Sequence, residues 1–367
     1  MDNSTRDAND SLPHSQGPNL HILATIEQYM KIIVPITCLV IIVIGGIGNL
    51  LVILSVSLYK HMRSRRNVFI LNLAVADLLF IIVVLPFNAI DFAFYYDDYQ
   101  FGPVWCKLSG YITFVTFYAS VYTLLGVSFN RFLAVVFPIS SITFRTRSNA
   151  IKTVLVLWVV ILLANIPVLN TNDLIKGKTH TLCDTTDKKS EKMTHGAWIV
   201  FGFALPLALM CIMYGIIAIH LLRRSIPSDS SHGGNSQIKT RAIRMCAVVV
   251  TVFTLCLLPF HIWNMWRLYG KQIDLAEIVA FYVFGYASIL LVYTNSCVNP
   301  ILYAFLCEEF RSSFRKLMRC NSIRKCPRCK TKSATPQVNI LNAMTDRPSS
   351  SRTLSRLNRT ADSTVSE

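Results

Sequence analysis

At 367 residues the chain could hold two soluble domains, but 53% of it is hydrophobic and only 15% is charged. That balance excludes a soluble fold, whose helices would show charged outer faces. The formal net charge of +16 gathers in the connections on one side of the apolar runs and in the tail. It therefore points to anionic lipid at a membrane surface rather than to nucleic acid.

Residues 1–31 are polar, with Asp2, Asp7, Asp10 and Glu27 against Arg6, and read as a flexible extracellular segment. Asn3-Ser4-Thr5 and Asn9-Asp10-Ser11 are glycosylation sequons there. No cleavable signal peptide is visible, and the first apolar run would serve as its own insertion signal. Seven apolar runs follow: Ile32–Leu58, Val68–Tyr95, Val104–Phe137, Ala150–Leu169, Trp198–Leu222, Ala242–Leu268 and Leu275–Leu306. Each meets the ~20 residues that a helix needs to cross a bilayer. The fold class is therefore an all-α membrane protein, a seven-transmembrane helix bundle over residues 32–306.

The connections set the orientation. Lys60, Arg63, Arg65 and Arg66 follow the first run, and Arg145, Arg147 and Lys152 follow the third. Arg223, Arg224, Lys239, Arg241 and Arg244 follow the fifth, against Asp229 alone. The amino terminus is expected outside and the tail inside. The long outer connection Thr171–Thr194 stands apart from otherwise short ones, and the inner Ser225–Gln237 reads as a flexible link. After the seventh run, Phe310, Phe314, Leu317 and Met318 recur at helical spacing opposite Arg311, Arg315, Lys316 and Arg319. Residues 307–319 are thus expected to form an amphipathic helix on the inner leaflet, and 320–367 a disordered cytoplasmic tail.

Polar groups inside the runs carry the functional reading, because an unsatisfied polar group in hydrocarbon costs several kcal/mol, on the order of a lost hydrogen bond or more. The stretch Asn295-Ser-Cys-Val-Asn-Pro-Ile-Leu-Tyr303 holds Asn295, Ser296, Asn299, Pro300 and Tyr303 within an apolar run. With Asn49, Asp77, Cys106 and Asn130-Arg131-Phe132 upstream, it resembles the rhodopsin-like G-protein-coupled receptors from Gly48 to Phe314. Trp158, Pro206, Tyr214, Phe253, Cys256 and Pro259 fit the same pattern.

The resemblance implies several site roles. Cys106 and Cys183, the cysteines at or near the outer face, pair in a disulfide. Cys38, Cys211, Cys246, Cys256 and Cys297 lie within the runs and read as small core residues. Asp77, with Asn49, Ser120, Asn295, Ser296 and Asn299, forms either an allosteric sodium site or a plain hydrogen-bond network. Arg131 would meet the G protein, with Tyr214, Phe253, Pro259, Pro300 and Tyr303 as further activation positions. Two positions depart from the pattern: Asn130 replaces the usual aspartate, and Leu257 stands where tryptophan is usual.

Ligand class is narrowed by absences. Tyr293 stands where retinal proteins carry lysine, and Thr113 where amine, opioid and somatostatin receptors carry aspartate. Phe101-Gly-Pro-Val-Trp-Cys-Lys107, Tyr118-Ala-Ser-Val-Tyr-Thr123, Arg131-Phe-Leu-Ala-Val-Val136 and Val159-Val-Ile-Leu-Leu-Ala-Asn-Ile-Pro-Val-Leu169 look like the allatostatin-A and galanin receptors, a neuropeptide branch. In Phe101, Gly102 and Trp105 a packing plug and a ligand contact can coexist. By position, Asp91, Thr113, Phe117, Phe260, His261, Asn264, Arg267 and Tyr286 are the candidate pocket.

Expected partners are an extracellular peptide, a heterotrimeric G protein, membrane lipids, and arrestin and a receptor kinase acting on the Ser- and Thr-rich tail, at the plasma membrane. Cys320, Cys326 and Cys329 are lipidation candidates; Cys326-Pro-Arg-Cys329 lacks the second ligand pair that zinc requires. No catalytic site is expected, and a different peptide or a small-molecule agonist is the alternative ligand. A transporter or intramembrane enzyme, the rival class, would show internal repeats or paired catalytic residues within the runs.

Overall fold

A computed structural model describes residues 17–94, 99–176, 181–186, 188–224, 233–271 and 274–323. Asn3, Asn9, Cys326, Cys329 and most of the tail lie outside these residues, as do the side chains of Cys246, Cys320, Lys239, Arg241 and Arg244. The spans are α1 (Gly17–Leu58), α2 (Arg65–Leu79) with α3 (Leu85–Ala93), α4 (Gly102–Val136) and α5 (Arg147–Ala164). The fifth is α6 (Lys188–Ala197) with α7 (Leu205–Arg224), followed by α8 (Gly233–Tyr269) and α9 (Leu275–Leu306). Among the described residues, six spans are long and apolar enough to cross a membrane. The other, α8, has no described side chains before Ala247.

Local chemistry sets where the spans start. Ser64, Thr146 and Asp274 cap α2, α5 and α9, each accepting from a backbone N–H three residues on: Asn67 at 3.4 Å, Asn149 at 3.1 Å and Glu277 at 2.8 Å. Two spans carry a widened turn just before a proline. Phe80–Val84 precedes Pro86 and Trp198–Ala204 precedes Pro206, both as π-helical turns. Proline lacks an N–H, and the wider turn absorbs the mismatch without breaking the span. Within α4 the hydroxyls satisfy themselves on the preceding turn: Thr113 donates to Ser109 O at 2.7 Å, Thr116 to Ile112 O at 2.7 Å and Ser128 to Leu124 O at 2.9 Å.

Helices approach closely where small residues allow it. A Cβ on Gly48 would meet Pro300 Cβ at 2.9 Å, and one on Gly45 would meet Ile81 Cδ1 at 2.7 Å. That closeness brings α1 against α9 and puts Asn49 beside the seventh span. The outward faces stay apolar: Leu155, Val156, Val159 and Leu163 of α5 are all exposed, as a lipid-facing stripe requires.

Several expectations need correction. The outer connection Thr171–Thr194 holds an antiparallel hairpin, β1 (Asn172–Lys176) on β2 (Thr181–Thr185), with Leu174 opposite Cys183. The fifth span begins at Lys188, a helix extended outward past the apolar run by polar residues. Likewise α1 reaches back to Gly17, into the segment expected to be flexible. Cys211 is exposed on the lipid side, whereas Cys38, Cys256 and Cys297 are buried. The last helix, α10 (Glu308–Ile323), does form. Its Phe310 and Phe314 are buried in the core with Tyr303, whose ring stacks on Phe310 at 5.5 Å. Those apolar side chains therefore fasten the helix to the bundle; Met318 stays exposed and can reach the leaflet.

Candidate functional site

The outer end is tied by a bridge. Cys183 on β2 is bonded to Cys106 in the first turns of α4, with Cα atoms 5.6 Å apart. Lys107 Nζ meets Asp173 Oδ2 of β1 at 3.0 Å, and the Lys107 hydrogen bond holds the Asp173 carboxyl below its usual pKa. Tyr99 N donates to Thr181 O at 2.9 Å. The hairpin is thus pinned over the bundle. Gly102, with φ +74°, makes the turn that admits α4. Phe101 and Trp105 pack on Phe87 at 4.9 and 4.2 Å, a packing plug; neither lines the cavity below.

Beneath the hairpin lies a cavity of about 270 Å³. Of the expected pocket, Thr113, Phe117, Phe260, Asn264 and Arg267 line it. His261, Asp91 and Tyr286 do not. His261 is buried against Phe203 at 4.7 Å and Trp198 at 5.6 Å. Tyr286 packs on Phe92 at 6.2 Å, and Asp91 is exposed on α3.

Sequence reasoning missed Glu191, His195, Trp198 and Trp263. Trp198 is the aromatic hub, 5.1 Å from both Phe117 and Phe260 and 4.8 Å from Phe114. Arg267 pairs with Glu191 at 2.6 Å and lies over the Trp263 ring at 5.6 Å. His195 Nδ1 meets Glu191 O at 3.0 Å. Glu191, His195 and Trp198 recur at i, i+4 and i+7, so carrying the helical period outward past the apolar run would have found them. A second cavity of about 250 Å³ adjoins the first, sharing Thr113, His195 and Trp198, with polar walls that include Asn172, Asp184 and Glu191. The site is therefore aromatic and deep at one end, with a single guanidinium among its described walls, and polar and acidic at the other.

At the cavity floor Leu257, Ser120, Asn295 and Ser296 meet. Ser120 Oγ donates to Asp77 Oδ1 at 3.0 Å, and Asn299 Nδ2 donates to Asp77 Oδ2 at 2.9 Å. Asn49 Nδ2 donates to Ser296 O and Gly45 O, both at 2.9 Å. The sequence-predicted cluster is thus brought together around one buried carboxylate, with Asn295 in the cavity wall. No cationic side chain pairs with Asp77 among the described residues. Asp77 is thus a buried carboxylate held by one hydroxyl and one amide N–H, and Asn49 Oδ1 nearby is buried without a partner.

Toward the inner face, Tyr214 OH lies 3.3 Å from Ser128 Oγ, and Phe253 and Leu257 are buried in the core. Pro259 and Pro300 lie inside α8 and α9. Arg131, beside Asn130, lines an inner cleft, and its Nε is buried without a partner.

The sequence profile described as "7 transmembrane receptor (rhodopsin family)" matches residues 48–303. The chain belongs to that receptor family. Its relatives include the allatostatin-A receptor of Bombyx mori, 38% identical over 80% of this chain and 82% of that one. The mouse galanin receptor type 2 is 32% identical over 82% of this chain and 80% of its own, and mouse galanin receptor type 1 is 32% identical over 78% and 82%. The chain is accordingly a rhodopsin-family peptide receptor, a membrane protein that signals rather than an enzyme.

Proposed function

We propose that this receptor binds an extracellular neuropeptide of the allatostatin-A or galanin kind and activates a heterotrimeric G protein from the plasma membrane. The observation that carries the ligand reading is the two-part cavity under the bridged hairpin. An extended ligand can place an apolar or aromatic end among Trp198, Phe117, Phe260 and Trp263. Its polar remainder can then lie along the hairpin and Glu191. The relatives' names support the same class. Arg267, already paired to Glu191, would exchange that partner for a ligand carbonyl or carboxylate. The basic inner connections support an outside amino terminus.

In this reading sodium at Asp77, held by Ser120 and neighbouring oxygens, supplies a charge that favours the resting bundle. Tail serines and threonines would recruit a receptor kinase and arrestin, Cys320, Cys326 or Cys329 would carry lipid, and Asn3 and Asn9 would carry glycans. The test is expression of the full chain in cells with no response of their own, challenged with allatostatin-A-type and galanin-type peptides while calcium and cyclic AMP are followed. Silence to both sets, with response to another peptide or a small molecule, would replace the ligand and leave the receptor class standing.

A further inference from the structure

On the bilayer side of the bundle a cavity opens between α4, α5 and the fifth span, and neither the ligand reading nor the polar network uses it. It measures about 480 Å³, within the roughly 300–1,000 Å³ of small-molecule pockets. It is open to lipid: Val160 and Phe201 among its walls are 56% and 52% exposed. Ala164 and Ala197, on facing spans, are too small to close the gap between them. At the deep end Tyr122 OH donates to Phe201 O at 3.1 Å, bridging α4 to the fifth span. At the outer end stand Asn165 and Thr194.

The walls restrict what can sit there. Among the described residues none of them is charged, and an ionic group would find nothing to offset its desolvation. The occupant is therefore neutral. Lipid tails are as apolar as these walls, so apolar transfer alone selects nothing, and close packing and hydrogen bonds must. A flexible chain loses rotamer freedom when it is ordered, whereas a fused-ring body has little to lose. Phe114, Tyr118, Tyr122 and Phe201 supply aromatic walls for a flat body to pack on. Polar groups stand at two levels. Tyr118 packs ring to ring on Phe117 and Tyr122 at 5.8 and 6.3 Å, and its hydroxyl is unbonded among the described residues. Tyr118 lies one helical turn inward of Phe114, Thr194 lies one turn outward of Trp198, and Phe114 meets Trp198 at 4.8 Å. Two turns, roughly 11 Å, thus separate the Tyr118 level from the Thr194 level.

We propose that this cavity binds a steroid-type molecule that partitions into the outer leaflet. Its neutral fused-ring body carries an oxygen at each end, one on Tyr118 and the other on Thr194 or Asn165. Phe114 and Thr194 also wall the outer ligand cavity, and Phe114 meets Trp198. An occupant here therefore presses on side chains that shape the ligand site without entering it. The site stands whether or not the ligand proposed above is correct, because none of the readouts below uses an agonist.

The experiment uses the purified full chain in sterol-free phosphatidylcholine nanodiscs, with tritiated pregnenolone as the probe. Saturable binding is expected, with a raised thermal unfolding midpoint and a change in tryptophan fluorescence that Trp198→Phe abolishes. Tyr118→Phe should weaken binding about fivefold, the scale of one neutral hydrogen bond. Ala197→Phe, at an exposed position, should fill the mouth and remove binding. Ala164→Phe on the facing span should do the same, which guards against a folding defect in either variant. Leu155→Phe, on the lipid face of α5 outside the cavity, should leave binding intact. Cholesterol, with an oxygen at one end only, and monoolein, with a flexible chain, should displace the probe poorly. Displacement by either that matches unlabelled pregnenolone would overturn the two-ended steroid reading. Absence of saturable binding, or equal losses in Leu155→Phe and both alanine variants, would overturn the site. Binding with unchanged fluorescence would overturn its link to the ligand cavity.

Discussion

Removing the outer bridge tests how the hairpin is held, and the double variant Cys106→Ser/Cys183→Ser is the clean perturbation because it leaves no free thiol. The bridge closes 77 residues of sequence, for which the chain-entropy relation gives about 4.5 kcal/mol. That figure assumes a free chain. Here α4 and α5 lie between the two cysteines, and both remain inserted in the bilayer when tertiary contacts are lost. The freely moving part is only the stretch from the outer end of α5 to Cys183, and the same relation then gives about 3 kcal/mol. The expected result is a loss near the lower figure in the unfolding free energy of purified receptor at fixed lipid composition. Agonist affinity should fall with it, because Asn172, Asp184 and Thr185 of the hairpin wall the outer cavity. Asp173→Asn should cost far less, since the Lys107 pair is exposed and screened. An unchanged unfolding midpoint with unchanged agonist response in the double variant would refute this reasoning.

Four further outcomes are expected. Sodium should lower agonist affinity, and Asp77→Asn should remove that sensitivity, because an ion held by the resting bundle shifts the population by its differential affinity; radioligand competition with and without sodium decides it. Gly48→Val should cost about 1–3 kcal/mol through overpacking, since even a Cβ there meets Pro300 at 2.9 Å; thermal unfolding that matches the parent would deny the close approach. Truncation at Ser333 should blunt arrestin recruitment and desensitisation, as added phosphate supplies the charge that basic surfaces pair with; unchanged desensitisation counts against the tail. Asn130→Asp should lower agonist-free signalling, because an aspartate beside Arg131 restores a charge-assisted partner, and each ~1.4 kcal/mol gained shifts the active fraction about tenfold; equal or higher basal activity would mean that another group restrains Arg131.

The spans and the polar cluster were legible because hydrocarbon makes polarity costly. Asp77, Asn49 and Asn299 stand out against their apolar runs, and the structure puts Ser120 and Asn299 on the same carboxylate. The outer site was legible only in part. Phe260, Asn264 and Arg267 repeat on one helical face and were found together, whereas Glu191 and His195 sit in a stretch polar enough to pass for loop. An apolar run shows where the membrane begins; a helix can continue beyond it, and here that continuation supplies half the rim. Phe310 and Phe314 misled in the opposite sense. An amphipathic period reports that a face is buried, and the choice between lipid and protein as its cover depends on packing against Tyr303.

Leu257 joins the two sites that the sequence presented separately. It lines the cavity and is buried in the core beside Phe253. A leucine is smaller than the tryptophan usual at this position, so the cavity floor reaches Ser120, Asn295 and Ser296. Ser120 is also the donor on Asp77. A ligand group that reaches the floor therefore meets a side chain already holding the buried carboxylate, with no intervening aromatic ring to turn. The distance over which ligand and carboxylate must communicate shrinks to one shared hydroxyl, and Ser120→Ala separates the two: it removes the donor to Asp77 and leaves the aromatic walls of the cavity in place.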